Sequence, residues 1–440
     1  MTTISRIAEA MQTVLTTTAD DAAQETGFVQ RASKMGGASF AQALVFGWLE
    51  NPQATLEELS QTAAAVGVVI TPQGLDQRFS ESAARCLQKV LEAAVNEVIA
   101  SEPVAIPILQ RFAEVYLDDS STVPLPKELA EVWLGSGTAR PGASAGLKLQ
   151  VRLEYTCGTL HGPFLQDGRS HDRKSVLQQV PVVAHSLRIA DLGYYSLDVL
   201  EARDAQDGYW LFRAQVQTKL YTQDGRKWTL VELLQSLPDA EIDMPVQLSV
   251  KHRLPARLLA ARIPQEVAEK RRRALRKEAR RRGQPVSKAR LALADWNIFV
   301  TNVPVELLTL REALVLARIR WQIELLFKLW KSHGQIDEWR SHKPWRILCE
   351  VYAKLIAMIL QHWLLLLSCW RYPDRSLFKA AKTIRKHAIT LACTMASTSA
   401  LSQAIETIQR CLSVGCRINK RRAQPHAYQL LLDLADRGLA

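Results

Sequence analysis

The sequence has 440 residues, of which 48% are hydrophobic and 23% charged, as is usual for globular proteins, and its length predicts roughly two to four domains. Its net charge of +12 predicts a polyanionic partner, with nucleic acid the leading candidate and a membrane surface the weaker one, because basic surface attracts phosphate groups at long range. The seven cysteines are dispersed without a C-x-x-C pair, which argues against zinc and thioredoxin-like sites and predicts reduced thiols.

Residues 1–105 have the pattern of a helical region. The opening stretch MTTISRIAEAMQTVL contains an early acid and no long apolar run, so no signal peptide is predicted. Thr55 with Glu58 predicts a capped helix that ends at Gly67, and Thr71-Pro72 starts a second short helix. Helix, glycine turn and helix form the helix-turn-helix pattern, which predicts an N-terminal DNA-binding domain, although many small helical domains share this spacing.

Residues 106–216 change to a strand-rich pattern, which predicts the first part of an α/β core. AEVYLDDSS is a short apolar run that ends in acids, LKLQVRLEYTCG alternates like a half-buried strand, and TLHGPFLQDG is its predicted hairpin partner. SLRIADLGYYS is predicted as a strand that ends at Asp191, followed by the helix SLDVLEARD and the strand GYWLFRAQ. The glycine-rich stretch LGSGTARPGASAG lacks the Lys-Ser/Thr of a phosphate loop and is predicted to be a connector.

Residues 217–292 are predicted to form a separate β-rich and basic section. TKLYTQDGRKWTL is its clearest hairpin. The run KRRRALRKEARRRG follows, with nine basic residues and the single acid Glu278. A solvated charged helix is the alternative interpretation, but so many like charges repel one another unless a polyanion neutralises them. We therefore predict that the run contacts phosphates, with Arg271, Arg272 and Arg273 as the candidate residues.

Residues 293–345 begin with a strand, ADWNIFVTNVP, and the chain is then predicted to be helical to its end, with residues 346–440 as a C-terminal helical region. The most apolar stretch is LIAMILQHWLLLLSCW, which contains Gln361 and His362 and is short for a membrane span. It is predicted to be a buried helix of a bundle. Another basic cluster, CRINKRRAQ, lies in the tail.

Three acidic residues have the positions that metal-assisted chemistry on DNA requires. Phosphoryl transfer can use two divalent cations roughly 4 Å apart, and Mg²⁺ prefers oxygen ligands such as carboxylates on rigid elements. Asp119 and Asp191 each follow an apolar run that predicts a strand. Taken singly, either is explained as an acid that ends a strand in solvent. Glu324 is the third candidate.

Glu324 lies in RIRWQIELLFKLWK, which has the periodicity of an amphipathic helix. At roughly 100° per residue, Arg320, Glu324 and Lys331 fall along the edge of the apolar stripe and not opposite it. A row that only confers solubility would be centred on the far side. The alternative is a salt-bridge ladder, since Arg320 and Glu324 are four residues apart, and helix geometry alone leaves both interpretations open.

The same stretch resembles the signature of DDE-type bacterial insertion-sequence transposases, in the insertion-sequence-four-like subfamily named for a Tyr-Arg-Glu-Lys motif. Arg320, Glu324 and Lys331 match the motif spacing without a gap, and Ala317 occupies the tyrosine position. WNIFVTNVPVE, ADLGYYS and LDDSSTVPLP resemble the segments around the other motifs of the family. The resemblance covers about residues 110 to 370, and it makes Asp119 the first metal ligand, with its neighbour Asp118 left as an alternative.

The resemblance implies a ribonuclease H-like catalytic core, a mixed sheet flanked by helices with a β-rich insertion between the second aspartate and the glutamate. Asp119, Asp191 and Glu324 would bind two Mg²⁺ ions, with Mn²⁺ as an alternative ion. Arg320 and Lys331 would hold phosphates near the scissile bond. The further DNA-binding candidates are Trp296, which would stack a flipped base or is simply a core aromatic, together with Arg318 and Lys328.

The function that the resemblance implies is cut-and-paste DNA transposition, with cleavage of transposon ends and their joining to target DNA. Two alternatives remain: a metal-dependent nuclease without strand transfer, and a DNA-binding descendant with a dead catalytic centre. The expected partner is double-stranded DNA, both terminal inverted repeats and target, bound by a homodimer without membrane attachment. The expected location is the cytoplasm, in association with the nucleoid. Ala317 cannot supply the phosphate hydrogen bond of the family's tyrosine.

Overall fold

The computed structural model describes residues 3–31, 33–135, 144–370, 374–418 and 427–438. In chain order its strands are β1 Val115–Leu125, β2 Ala145–Glu154, β3 Leu160–Asp167, β4 Leu187–Ala190, β5 Tyr209–Arg213, β6 Lys219–Tyr221, β7 Lys227–Thr229, β8 Glu241–Leu248, β9 Leu254–Arg262 and β10 Trp296–Thr301. The helices before β10 are α1 Thr3–Leu15, α2 Thr17–Glu25, α3 Gly37–Glu50, α4 Leu56–Ala65, α5 Pro72–Asp76, α6 Glu81–Asn96, α7 Leu197–Asp204, α8 Leu230–Ser236, α9 Gln265–Arg282 and α10 Lys288–Ala292. Those after it are α11 Leu310–Ile319, α12 Trp321–Ser332, α13 Pro344–Leu365, α14 Leu377–Arg385, α15 Ala388–Thr394, α16 Thr398–Val414 and α17 Ala427–Gly438.

The chain forms two compact units, each built from separate stretches of sequence. The first unit contains Met1–Ala105, Asp119–Ser170 and Gln322–Tyr428, and the second contains Ile106–Asp118, His171–Trp321 and Gln429–Ala440. Strand β1 begins in the second unit and continues into the first, because the division falls between Asp118 and Asp119. The predicted boundaries at residues 105, 216, 292 and 345 stay predictions.

The first unit combines the strands β3-β2-β1, in that order, with helices from both ends of the chain. Strands β2 and β3 pair antiparallel, as the predicted hairpin requires. Helix α13 packs against α3 and α6, and α16 packs against α1. The core of this unit is therefore shared between N-terminal and C-terminal helices.

The second unit is organised by the strand order β1-β4-β5-β10-β9-β8-β6-β7. Strands β1, β4 and β5 run parallel, and β10 pairs antiparallel with both β5 and β9. Strands β8, β6 and β7 extend the antiparallel part, and the predicted hairpin is β6 with β7. The prediction of a mixed α/β fold is confirmed. The glycine-rich stretch and the basic tail cluster lie largely outside the described residues.

The N-terminal helices have the predicted capping, but the second helix of the predicted helix-turn-helix is short. Thr55 and Glu58 form the reciprocal capping box at the start of α4. Helix α5 has only five residues. Its last residue, Asp76, accepts hydrogen bonds from Lys343 at 2.5 Å and from Arg346 at 3.1 Å, which ties α5 to the start of α13. The DNA-binding role of residues 1–105 stays a prediction.

Helix α13 is the predicted buried apolar helix. By length and composition the stretch Pro344–Ser368 is apolar enough to cross a membrane, but its most apolar window is completely buried within the protein. Its buried lysine is paired, since Lys354 donates to Glu350 at 2.8 Å and to the carbonyl of Glu338 at 2.8 Å. The prediction of a buried bundle helix is confirmed.

Candidate functional site

Two neighbouring aspartates on β1 have different surroundings. Asp118 is 0% exposed, and its Oδ2 accepts a hydrogen bond of 2.8 Å from Nε of Arg188, which is 2% exposed. Arg188 lies on β4, the parallel neighbour of β1, and its Nη1 also donates to Gln178 at 2.6 Å. Asp119 is partly exposed, and its Oδ1 accepts from the backbone N–H of Ser120 at 2.8 Å. Because successive side chains of a strand point to opposite faces of the sheet, the side chain of Asp119 lies on the face opposite that of Asp118.

Asp191 follows the last residue of β4, as predicted, and is exposed. The last paired residues of β1 and β4 are Asp118 and Ala190. Asp119 directly follows the first of these in sequence, and Asp191 directly follows the second. Asp191 has an extended backbone and starts a single 3₁₀ turn. A Cβ atom on Gly193 in this turn would lie 2.8 Å from Oδ2 of Asp172, so the glycine permits a close approach of that side chain.

Glu324 lies on a packed helix, but the predicted continuous helix from Arg318 to Lys331 is wrong. Helix α11 ends at Ile319 and α12 begins at Trp321, with Arg320 as the residue between them. Arg320 keeps right-handed helical dihedral angles, so the interruption lies in the hydrogen bonding and not in a sharp turn. Within α12, Ile323, Leu326 and Phe327 are buried, and Glu324 is partly exposed, as a position at the edge of the apolar stripe should be.

Lys331 joins α12 to β1 within the first unit. Its Nζ donates to the carbonyl oxygen of Thr122 at 3.0 Å, and it lies 3.8 Å from Oδ2 of Asp337. Thr122 is three residues beyond Asp119 on the same strand. The helix that carries Glu324 and the strand that carries Asp119 are therefore linked by the lysine of the motif.

The other predicted DNA-binding residues of this region are exposed, and one exposed aromatic was missed. Arg318 on α11 and Lys328 on α12 are both exposed. Trp321, the first residue of α12, is 57% exposed. The sequence contained the signal, since Trp321 precedes Glu324 by three residues, but periodicity did not distinguish an exposed tryptophan from a core one.

Trp296 is largely buried at the start of β10. It is 8% exposed, and the guanidinium of Arg262 lies 4.8 Å from the centre of its ring. It lines a cavity of about 370 Å³ in the second unit, together with Arg213, Arg271 and Leu275. Its base-stacking role stays a prediction.

The basic run forms helix α9, whose first arginines are engaged within the second unit. Nη1 of Arg271 donates to the carbonyl of Trp296 at 3.0 Å, and its Nη2 donates to Asn297 at 2.7 Å. Burial lowers the pKa of Arg271 from its usual value. Arg272 pairs with Asp295. Arg273, by contrast, is exposed.

The three predicted metal ligands are carboxylates that solvent reaches, and hard oxygen ligands of this kind suit Mg²⁺. Asp119 and Glu324 belong to the first unit and Asp191 to the second. In the described part of the chain, no three His, Cys, Asp or Glu side chains form a group that could hold a metal ion. The donor chemistry fits the predicted ions, and metal binding stays a prediction.

These features define a mixed α/β protein with solvent-accessible carboxylates on β1, directly after β4 and on the packed helix α12. The chain belongs to the family described as Transposase DDE domain, whose model matches residues 110–360 and thus includes all three carboxylates. The DDE-type family that the sequence motifs indicated is confirmed.

Curated relatives match most of the chain. The transposase for insertion sequence element IS231F of Bacillus thuringiensis subsp. israelensis is 26% identical over 364 residues, which covers 78% of this chain and 76% of the relative. The transposase for IS231C of Bacillus thuringiensis subsp. berliner is 28% identical, with 78% and 75% covered. The transposase for IS1151 of Clostridium perfringens is 24% identical, with 77% and 76% covered.

Proposed function

We propose that this protein is a DNA transposase that cleaves the ends of its element and joins them to target DNA by phosphoryl transfer. Membership of the Transposase DDE domain family and the names of the relatives support this proposal. The observation that carries the residue assignment is the difference between Asp118 and Asp119. A carboxylate buried against an arginine is already neutralised, whereas Asp119 is partly exposed to solvent.

Asp119, Asp191 and Glu324 would hold two Mg²⁺ ions, or Mn²⁺ in their place. When bound, such ions polarise the phosphoryl oxygen and stabilise the attacking and leaving oxygens. The protein contributes rigid carriers for the ligands, since β1 and β4 are paired strands and α12 packs through Ile323 and Phe327.

Basic side chains would position the DNA and offset the negative charge that develops in the reaction. Lys331 donates to a backbone carbonyl of β1, which is a neutral acceptor. A phosphate oxygen can take the place of this carbonyl, because its negative charge makes the hydrogen bond to the ammonium group stronger. Arg320 lies at the junction of α11 and α12, four residues before Glu324. Ala317 offers no hydroxyl, so phosphate binding here relies on the basic residues.

The key experiment replaces Glu324 with glutamine, which keeps the shape of the side chain and removes its charge. We expect Mg²⁺-dependent cleavage of the element's terminal repeats to be lost while DNA binding remains. Glu406→Gln is the matched control, because Glu406 is exposed on α16 and lies outside the stretch that resembles the family. Undiminished cleavage by the Glu324→Gln variant would refute its assignment.

A second assay separates transposition from the alternative of a simple nuclease. The protein is given element ends that are already cut, together with target DNA and Mg²⁺, and joined products are measured. Joining supports the transposase. Cleavage of uncut ends without any joining would support the nuclease, and the absence of both would support a DNA-binding protein with a dead centre.

The remaining parts of the proposal concern the core and the partners. The mixed sheet with antiparallel insertion strands supports a ribonuclease H-like core with a β-rich insertion. The partners would be double-stranded DNA with terminal inverted repeats, target DNA and a second copy of the chain. Such a protein would act in the cytoplasm at the nucleoid.

A further inference from the structure

Helix α9 has two faces with different tasks, although its sequence is a single basic run. One face attaches the helix to the second unit. Ala268 is 1% exposed, Arg271 donates to the backbone of Trp296 and to Asn297, and Arg272 pairs with Asp295. Because these arginines hold acceptors inside the protein, replacing those contacts with DNA contacts would detach the helix.

Two more arginines are committed within the helix itself. Glu278 forms ion pairs with Arg282 at 2.5 Å and with Arg281 at 3.8 Å. Glu278 is the single acid in the basic run, and its negative charge offsets arginines at the C-terminal end of the helix. The helix then ends at Gly283, which has the left-handed conformation of a common helix terminus.

The opposite face carries the outer row, which we define as Lys270, Arg273, Lys277 and Arg280. All four are exposed, and none has a hydrogen-bond or ion-pair partner among the described residues. Their spacing of three, four and three residues places them within an arc of roughly 80° and along about 15 Å of helix. Arg276 is exposed beside this row.

The outer row is electrostatically unfavourable without a partner. Like charges three or four residues apart on a helix destabilise it by about 0.2–0.5 kcal/mol per pair. Glu266 and Glu269 lie one turn before Lys270 and Arg273 and offset part of their charge, whereas Lys277 and Arg280 have no acid three or four residues away. A linear polyanion would relieve this repulsion and release its own counterions.

We propose that the outer row of α9 binds the phosphate backbone of duplex DNA, and that Arg271 and Arg272 act only to hold the helix in place. This inference rests on the proposed function, which makes DNA the polyanion. It divides the basic run into a contact set and an anchoring set. Of the three arginines predicted from the sequence, Arg273 alone belongs to the contact set.

The test compares two double variants that remove the same charge from the same helix. Arg273→Gln with Lys277→Gln changes the outer row, and Arg281→Gln with Arg282→Gln changes the residues paired with Glu278. Both are made in the full chain with Glu324→Gln, which prevents cleavage, and affinity for a random-sequence duplex is measured across ionic strength. We expect the outer-row pair to reduce the slope of log affinity against log salt by about 2, and the control pair to change it little.

A third variant tests the anchoring set. Arg271→Gln with Arg272→Gln should lower the melting temperature, whereas the outer-row pair should leave it unchanged. Equal loss of salt slope in the outer-row and control pairs would overturn the inference, because net charge alone would explain it. The inference would also be overturned if the outer-row substitutions weakened binding to vesicles of anionic phospholipid but did not weaken binding to duplex DNA. If the parent chain shows no salt-dependent DNA binding, the proposed function itself fails.

Discussion

Arg188 on β4 donates a 2.8 Å hydrogen bond to Asp118 on β1, and both side chains are withdrawn from solvent. The pair joins two parallel strands on one face of the sheet. It also distinguishes two adjacent aspartates that are chemically identical in the sequence. Asp118 is buried against Arg188, whereas Asp119 is partly exposed to solvent.

The two aspartates should therefore respond differently to the same substitution. Asp118→Asn should destabilise the protein by about 3 kcal/mol or more, because it leaves the Arg188 charge buried without its counterion. Asp119→Asn should leave the free energy of unfolding nearly unchanged and abolish cleavage. Urea denaturation and a cleavage assay on the same two variants check this, and a stable but inactive Asp118→Asn protein would reverse the assignment.

Lys331 should contribute more to catalysis than to stability. Lys331→Met removes its bond to the carbonyl of Thr122, at a cost of about 1 kcal/mol, and the positive charge near the proposed phosphate. We expect cleavage to fall by about 10²-fold, as for the loss of a charge-stabilising group. Single-turnover cleavage rates measure the effect. Lys328→Met, an exposed change on the same helix, serves as the stability control, and equal cleavage by the Lys331→Met and parent proteins would exclude the role.

Gly193 in the turn after Asp191 lies close to the carboxylate of Asp172. An alanine Cβ would come within 2.8 Å of Oδ2 of Asp172, so either the turn or the Asp172 side chain must move. We expect Gly193→Ala to reduce cleavage measurably, because the Asp172 carboxylate beside the turn must shift to make room and misplaced groups near a reacting centre slow the reaction. Gly146→Ala is the control, since its Cβ would have no neighbour closer than 3.5 Å. Full activity of the Gly193→Ala variant would contradict the prediction.

Substitution of the two tryptophans near the motifs should distinguish a DNA contact from a contact in the protein core. Trp321→Ala changes a side chain that is 57% exposed, so stability should shift by less than about 0.5 kcal/mol. Its DNA affinity should fall by about 1 kcal/mol or more if the ring stacks on a base. Trp296→Ala should instead lower stability by about 3 kcal/mol. Calorimetry and titration with single-stranded and duplex DNA measure both, and a destabilised Trp321→Ala protein would contradict the prediction.

His362 should make the protein sensitive to acid. It is buried on α13, its Nε2 lies 2.7 Å from the carbonyl oxygen of Gly158, and burial lowers its pKa to about 4. The unfolded chain therefore binds a proton between about pH 6.5 and 4 that the folded protein does not bind, so stability falls as pH decreases through this range. The loss amounts to about 3 kcal/mol below pH 4.

His362→Gln keeps a donor for the Gly158 carbonyl and does not titrate, so its stability should depend less on pH. Urea unfolding at pH 7.5 and pH 5 for both proteins measures the difference. An identical pH dependence in the two proteins would show that other groups cause the acid sensitivity.

The sequence predicted the local elements of the site well, because each depends on neighbouring residues. Alternation and apolar runs located β2, β3 and β4, and the strand end at Asp191 follows from a short apolar run next to an acid. The family signature was recognised from the spacing of residues within one stretch of the sequence. These signals are short-range, and the structure contains the three strands that they located.

The features that the sequence could not predict depend on partners distant in the chain. The choice between Asp118 and Asp119 depends on Arg188, 70 residues away. The role of Arg271 depends on the carbonyl of Trp296, which no residue pattern reveals. The interruption at Arg320 involves no glycine or proline, so periodicity alone predicted one continuous helix.

Helix α13 has a consequence for the synthesis of the protein. Its residues fill the core against α3 and α6, yet it leaves the ribosome long after them. At roughly 5–20 residues per second, the roughly 250 residues between α6 and α13 take about 12–50 s to translate. During that interval the apolar faces of α3 and α6 lack their native cover. Nascent chains of this protein should therefore need a chaperone until translation is nearly complete.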